Sequence, residues 1–140
     1  MKLHIINGPN LNLLGKREPK IYGKKSFKSF FTELQFKFRK VELSYFQSNS
    51  ESDLITKIQN AKADGIIINA AAYTHTSIAI ADAIAAIDIP VVEIHISNTH
   101  AREDFRKKSY LSPVVKGCIF GFGMQSYELA IQSFLNQENA

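Results

Sequence analysis

The stretch Gly65-Ile66-Ile67-Ile68-Asn69 decides the fold of this chain. Its isoleucines follow one another without the apolar and polar alternation of a half-exposed strand, and Val91-Val92 repeats the pattern. Such a strand is covered on both faces, as in a parallel sheet with a layer of helices on each side. The stretch therefore predicts an α/β protein.

Strand patterns alternate with helix patterns on both sides of this stretch. The predicted strands are residues 2–7, 41–46, 65–69, 91–96 and 117–121, and the predicted helices are residues 27–39, 51–63, 77–87 and 125–135. Ser50 followed by Asp53 is typical of the cap that begins a helix. The alternation predicts an open, doubly wound three-layer sandwich around a five-stranded parallel sheet.

Composition indicates one ordinary globular domain over residues 1–140. The chain is 45% hydrophobic and 21% charged, and no Pro-rich or Gly/Ser-rich linker divides it. Acidic residues interrupt the apolar stretch that follows Ile78, so we expect no membrane insertion. The lone Cys118 is predicted to be a small buried residue, which fits a reducing cytoplasm.

The net charge of +4 comes mainly from two basic clusters, at residues 16–28 and 102–108. Such clusters occur on solvent-exposed surfaces and also at the entrance of sites that bind anions. Few aromatic residues are interleaved with the basic ones, so nucleic acid is not an expected partner.

The predicted helix 77–87 is apolar on nearly every side apart from Asp82. A helix of this kind requires burial all round. In the outer layer of a small domain this burial requires a neighbouring subunit, so we predict a homo-oligomer with this helix at an interface.

Residues 7–23, NGPNLNLLGKREPKIYG, are predicted to form a surface loop, because Gly8, Pro9 and Pro19 break both strand and helix periodicity. Long loops in compact domains usually bind or cover something. Gly15 and Gly23 lie at the two ends of a predicted lid.

Polar candidates follow three of the predicted strands. They are Asn7 with the lid, Asn69 with residues 74–77, and residues 95–97 with Arg102 and Arg106. The carboxyl ends of parallel strands form one rim, where ligands of such sheets bind. We therefore expect a single site at this rim.

Glu93 and His95 are two apart on a predicted strand and so point to the same side of the sheet. A carboxylate there can hold one imidazole nitrogen and leave the other facing the crevice, which is the arrangement of a general acid. A purely structural pair is the alternative. His75 begins the next helix and could either bind substrate or decorate the helix cap.

Tyr22 and Arg17 lie on the same short lid. A cation beside a phenol lowers the pKa of the phenol, so Tyr22 is a candidate base. A tyrosine base that faces a histidine acid suits an elimination, in which one group takes a proton alpha to a carbonyl and the other protonates a departing hydroxyl.

Spacing disfavours other chemistries. Six residues separate Gly8 from Gly15, and Arg17 follows Lys16 where a phosphate-binding P-loop needs Ser or Thr. The four histidines and the single cysteine lack metal-ligand spacing, so no metal site is predicted.

Three motifs give the chain a specific resemblance. The motifs GPNLNLLGKREPKIYG (8–23), NAAAYTHTSIAIADAI (69–84) and EIHISNTHAREDFRKKSYLSP (93–113) together resemble the type II 3-dehydroquinate dehydratases. The resemblance implies a flavodoxin-like subunit, assembled as a dodecamer that is a tetramer of trimers. It also implies that the small anionic substrate 3-dehydroquinate loses water by anti elimination through an enolate, without metal or cofactor, in the shikimate or quinate pathway.

The resemblance implies catalytic roles for individual residues. Tyr22 is similar to the base, which Arg17 activates. His95 is similar to the acid that protonates the leaving hydroxyl, and Glu93 orients it. Asn10 is similar to the amide that holds the water stabilising the enolate.

Substrate-binding roles follow from the same resemblance. The substrate carboxylate is expected at Asn69, the backbone of Ile96 and Ser97, and the Ser97 hydroxyl. The substrate hydroxyls are expected at His75 and Arg106. Arg102 matches a position near the lid, and Asp82 matches one that reaches a neighbouring subunit's site.

Two alternatives to a dehydratase are a flavodoxin-like module that binds a nucleotide or FMN at the rim, and a purely structural oligomer. Copurified yellow colour or tight nucleotide binding would favour the first. Only the apolar helix supports the second.

Overall fold

Five parallel strands form one sheet in the computed structural model, which describes residues 1–16 and 18–138 except the side chains of Tyr22 and Glu138. They are β1 (Lys2–Asn7), β2 (Glu42–Gln47), β3 (Gly65–Asn69), β4 (Val91–His95) and β5 (Gly117–Phe120). Their order in the sheet is β2-β1-β3-β4-β5. This is the flavodoxin-like order, so the predicted α/β three-layer sandwich with a five-stranded parallel sheet is confirmed.

Helices cover both faces of the sheet. They are α1 (Pro19–Tyr22), α2 (Phe27–Lys37), α3 (Glu51–Gln59), α4 (Ile78–Ala85) and α5 (Gln125–Glu138). Ile67 packs with α2 and α5 on one face, whereas Ile66 and Ile68 pack with α3 and α4 on the other. The isoleucine run lacks alternation because both faces of β3 are buried.

Serine side chains begin three of the helices. Ser50 Oγ accepts a hydrogen bond from the N–H of Asp53 at the start of α3, which confirms the predicted cap. Ser26 and Ser77 do the same for α2 and α4. Each cap satisfies one N–H that has no partner inside its helix.

The predicted element ends differ from the observed ones by a few residues. Helix α2 ends at Lys37 rather than at residue 39, because Phe38 leaves the helical conformation with a ψ of 58°. Helix α3 ends at Gln59 rather than at residue 63, whereas α5 continues to Glu138.

The segment after β1 is not an unbroken loop, so that prediction was wrong in part. Residues Leu11–Leu13 form a 3-10 turn and Pro19 begins the short helix α1. Proline breaks a helix interior but is favoured in the first turn, where its missing N–H costs nothing.

The prediction that Cys118 is buried was wrong. Its side chain is exposed on β5, which lies at one edge of the sheet. An edge strand has a neighbour on one side only, so an apolar run there does not guarantee burial. The pKa of the Cys118 thiol is nevertheless raised, because neighbouring atoms shield part of the sulfur from water.

Helix α4 packs one side against the sheet and leaves an apolar side uncovered. Ile80, Ala83 and Ile84 are buried, while Ile78 is 58% exposed beside exposed Asp82. The uncovered face is compatible with a subunit interface, and the predicted homo-oligomer stays a prediction.

Candidate active site

A cleft lies at the carboxyl ends of β1, β3 and β4. It encloses roughly 680 Å³, a figure that includes open solvent at its mouth. Seven of the residues predicted for the site line it, namely Asn10, Asn69, His75, His95, Ile96, Ser97 and Arg106, and Arg102 joins them. The expected convergence on one rim is therefore confirmed for these residues.

Glu93 and His95 form the buried pair predicted from their spacing on β4. Nε2 of His95 lies 2.6 Å from Oε2 of Glu93, and the carboxylate is fully buried. Because Glu93 engages Nε2, Nδ1 is the ring nitrogen available to a ligand in the cleft. Glu93 itself lies behind His95 and does not line the cleft.

The Glu93 carboxylate stays ionised despite its burial. Burial alone would raise its pKa, but hydrogen bonds from His95, Ser112 and Ser109 outweigh that effect and lower the pKa below its ordinary value. The buried anion holds the His95 ring in one orientation through its hydrogen bond to Nε2.

His75 lies beside His95 on the wall of the cleft. The two ring centroids are 6.1 Å apart, and Nδ1 of His75 donates to the carbonyl oxygen of Lys108 at 2.7 Å. Burial lowers the pKa of His75, with Arg106 and His95 adding to the effect, so the neutral ring prevails at neutral pH. Its Nε2 is then an acceptor suited to a hydroxyl group.

Two arginines supply positive charge to the cleft. Nη1 of Arg102 donates to Oγ of Ser97 at 3.1 Å, and the Arg106 guanidinium is paired with Glu103. Both arginines line the cleft beside the backbone of Ile96 and Ser97. This electropositive wall suits an anionic ligand.

The loop after β1 is held against the loop after β3. The N–H of Gly8 donates to the carbonyl oxygen of Asn69 at 2.7 Å, and a Cβ on Gly8 would lie 2.5 Å from the Ala70 carbonyl oxygen. Only glycine permits this approach. Asn10 follows with a positive φ of 69°, a conformation that asparagine adopts more readily than most residues.

Asn69 is fixed at both ends of its amide. Its Nδ2 donates to the hydroxyl of Tyr127 at 3.2 Å, and its Oδ1 accepts from the N–H of Ala71 at 3.2 Å. Ala71 has a positive φ of 52°, which is unfavourable for a residue with a Cβ. Ala71 therefore helps to orient the side-chain amide of Asn69, which is a predicted substrate-binding group.

The predicted lid begins at the rim of the cleft, where Leu13 and Leu14 line the wall. Gly15 and Gly23 both have positive φ, 91° and 83°, and a Cβ on Gly15 would lie 2.8 Å from the Lys24 carbonyl oxygen. The two ends of the segment therefore meet. Arg17 and the side chain of Tyr22 lie outside the described residues, so their predicted roles stay predictions.

Asp82 does not line the cleft of its own chain. It is exposed on α4 beside Ile78. This position leaves open the prediction that Asp82 reaches the site of a neighbouring subunit.

Three residues around the site were missed by the sequence analysis. Ser109 and Ser112 contact Glu93, and Tyr127 contacts Asn69. The serines come from an irregular segment without periodicity, and Tyr127 lies among the apolar residues of the predicted helix 125–135. Two serines three apart shortly before the predicted strand 117–121 were the only signal.

Two features are absent from residues 1–16 and 18–138. No group of three or more His, Cys, Asp or Glu residues lies together in a way that could hold a metal ion. No helix in that part of the chain is both long and apolar enough to cross a membrane.

Comparisons with known proteins agree with one another. The family model "Dehydroquinase class II" matches residues 1–135. A 3-dehydroquinate dehydratase from Francisella philomiragia is 52% identical over 99% of this chain and 97% of its own. One from Exiguobacterium is 54% identical over 96% and 94%. The crystal structure of a type II dehydroquinase from Butyrivibrio crossotus superposes with a TM-score of 0.92 at 44% identity, covering 95% of this chain and 96% of that one.

Proposed function

Because this chain belongs to the class II dehydroquinase family, we propose that it is a hydro-lyase that converts 3-dehydroquinate to 3-dehydroshikimate by anti elimination of water through an enolate. The observation that carries the mechanistic part of the proposal is the buried Glu93 carboxylate, 2.6 Å from Nε2 of a histidine that lines the cleft. We propose that this step belongs to the shikimate or the quinate pathway.

His95 is the acid in this proposal. The Glu93 carboxylate stabilises the imidazolium, whose Nδ1–H then faces the cleft and can protonate the departing hydroxyl as the C–O bond breaks. His95 is neutral after this transfer and regains a proton from solvent, while the proton taken by the base returns to solvent, so both groups are reset for the next turnover.

Tyr22 is the base in this proposal. Arg17 beside it on the lid would lower the pKa of the phenol, so that the phenolate takes the proton alpha to the carbonyl. The enolate that forms is stabilised by a water held by Asn10, whose backbone N–H is anchored to Oδ1 of Asn49 at 3.0 Å. Support for the base comes from the lid motif and from family membership.

The cleft provides a place for each polar group of the substrate. The substrate carboxylate binds to Asn69, the backbone of Ile96 and Ser97, and the Ser97 hydroxyl. The ring hydroxyls bind to neutral His75 and to Arg106. The charge of Arg102 and Arg106 favours an anionic substrate over a neutral analogue.

The proposal includes a second subunit, and the uncovered apolar face of α4, on which Asp82 lies, supports it. Ile78 on this face is 58% exposed, and the helix that carries it has almost no polar side. We propose a homododecamer, a tetramer of trimers, in which Asp82 completes the site of a neighbour.

The test is a spectrophotometric assay with 3-dehydroquinate. Purified protein should generate the enone absorbance of the product and should resist chelators and borohydride. Tyr22→Phe and His95→Ala should each lower kcat by about a hundredfold or more, because each removes a proton-transfer group. Tyr45→Phe, which removes a phenol from edge strand β2, should leave turnover near normal.

The outcomes separate the parts of this proposal. An inactive wild-type protein would contradict the dehydratase function. An active protein in which Tyr22→Phe turns over normally would contradict only the choice of base.

A further inference from the structure

Two serine hydroxyls contact the carboxylate of Glu93 in addition to His95. Oγ of Ser112 donates to Oε1 at 2.7 Å, and Oγ of Ser109 lies 3.0 Å from Oε2 and 3.2 Å from Oε1. We propose that Ser109 and Ser112 are positioning residues for the reaction, whose hydroxyls keep Glu93 ionised and aimed at Nε2 of His95. The inference rests on the proposed role of His95 as the acid.

The hydroxyl proton of Ser109 has only one direction available. Its oxygen accepts the N–H of Leu111 at 3.1 Å and the N–H of Ser112 at 3.0 Å, which occupy both lone pairs. The proton therefore points at the Glu93 carboxylate. The turn at residues 109–112 thus fixes the direction in which the Ser109 hydroxyl donates.

Ser112 determines which carboxylate oxygen is left for His95. Its short bond to Oε1 leaves Oε2 as the acceptor for Nε2 of His95 at 2.6 Å. An ionised carboxylate has acceptors only, and burying it without donors is costly. The two hydroxyls supply the donors that water would otherwise provide.

Five titratable or charged side chains line a cavity together with this carboxylate, namely His75, His95, His100, Arg106 and Lys107. The titratable groups that hydrogen-bond to it are His95 and Cys118. His95 contacts it from β4, Cys118 on β5 has its sulfur 3.7 Å from Oε1, and His75 lies on the far side of His95. The raised pKa of Cys118 keeps the thiol neutral at neutral pH. A change in the protonation of Glu93 is therefore transmitted mainly to His95.

Neither serine belongs to the wall of the cleft as the described residues form it. Their loss should therefore change kcat and leave KM nearly unchanged. A residue that merely stabilises the fold would lower the amount of active protein without altering its pH profile.

The experiment compares Ser112→Ala, Ser109→Ala and the double variant with wild type. Ser133→Ala is the matched control, because its hydroxyl donates to the Ala130 carbonyl within α5, away from the cleft. We expect kcat to fall about tenfold for each single variant and further for the double variant, since hydrogen bonds to charged groups are among the stronger ones. KM should stay within about twofold, because uniform substrate binding is untouched.

The pH profile provides the readout that a structural role would not change. Without the hydroxyl donors Glu93 protonates more readily, so the acidic limb of the kcat profile should move to higher pH. Ser112→Thr, which keeps the hydroxyl, should restore both kcat and the profile. Ser112→Ala keeps the hydrogen bond from the backbone N–H of residue 112 to Oγ of Ser109, so it leaves the turn intact. If Ser109→Ala does not fold, Ser112→Ala alone tests the inference.

A second readout does not depend on activity. In protein labelled with nitrogen-15 at histidine, the Nε2–H resonance of His95 should move in Ser112→Ala and stay in place in Ser133→Ala. Folded Ser112→Ala and Ser109→Ala with wild-type kcat, pH profile and His95 resonance would overturn the inference. An inactive wild type with the expected resonance change would instead contradict the proposed function and leave the positioning of His95 supported.

Discussion

The hydroxyl of Tyr127 donates a hydrogen bond of 2.9 Å to Oδ1 of Asn7. The same hydroxyl oxygen accepts from Nδ2 of Asn69 at 3.2 Å. Burial raises the pKa of Tyr127, so the phenol stays protonated and remains a donor. One side chain of α5 therefore fixes the amides at the carboxyl ends of both β1 and β3.

Tyr127→Phe should lower the free energy of unfolding by about 1–3 kcal/mol, because it leaves two buried amide groups without their partner. It should also raise KM if Asn69 binds the substrate carboxylate as proposed. Urea unfolding and steady-state kinetics measure the two effects. Tyr45→Phe is the control, since Tyr45 is 39% exposed and should change neither quantity appreciably. Unchanged stability would show that the Tyr127 hydrogen bonds contribute little.

Gly8→Ala should damage both stability and turnover. Its Cβ would lie 2.5 Å from the backbone oxygen of Ala70, so the two cleft loops must separate. We expect a loss of about 1–3 kcal/mol, as in other overpacked sites, together with a lower kcat. Gly117→Ala is the matched control, because its Cβ would have no neighbour within 4 Å. Equal behaviour of the two variants would contradict the close-approach argument.

Stability should fall as the pH is lowered through the range where histidine titrates. His4 on β1 is buried, and its Nδ1 lies 2.7 Å from Ser44 Oγ. Burial, with Lys57 adding to the effect, lowers the pKa of His4 below 6.5. The unfolded chain therefore binds a proton at His4 more readily than the folded chain does. The stabilisation that neutral His4 gives to the folded state is complete above pH 6.5, and it is lost as the pH falls toward the lower pKa of the folded state.

His4→Gln should flatten this pH dependence. The expected change is at most about 1.4 kcal/mol per pH unit for one titrating group. His75 also has a lowered pKa and adds to the slope, so His75→Gln is measured alongside. Chemical denaturation between neutral and mildly acidic pH checks the prediction, and an unaltered slope in His4→Gln would contradict it.

Ile78→Asp should reduce the size of the assembly. The substitution puts a charge on the uncovered apolar face of α4, and burying that charge at an interface would be costly. Sedimentation velocity should show smaller species than for wild type. Thr32→Asp adds the same charge to the exposed side of α2 and should leave the assembly intact. A wild-type protein that is monomeric at micromolar concentration would refute the proposed dodecamer.

The fold was predictable because burial dictates the pattern of the central strands. Ile66, Ile67 and Ile68 alternate between two helical layers, and only a strand covered on both faces requires such a run. The spacing of Glu93 and His95 was equally informative, because residues two apart on a strand share a side. Both inferences depend on local periodicity alone.

The rest could not be predicted because it depends on how distant segments meet. Ser109 and Ser112 contact Glu93 only because an irregular segment returns to the end of β4 before it enters β5. Cys118 is exposed because β5 has a neighbour on one side only. Neither fact is visible in the residues that flank these positions.

The hydrogen bond between Tyr127 and Asn7 joins residues 120 positions apart. A chain emerging from the ribosome has completed β1 long before the segment that becomes α5 is available. The amides of Asn7 and Asn69 therefore cannot acquire their shared partner before residue 127 has been synthesised. Removal of α5 by truncation or early termination would take away both this partner and the buried apolar side of α5, so it should expose one face of the sheet as well as release the binding groups.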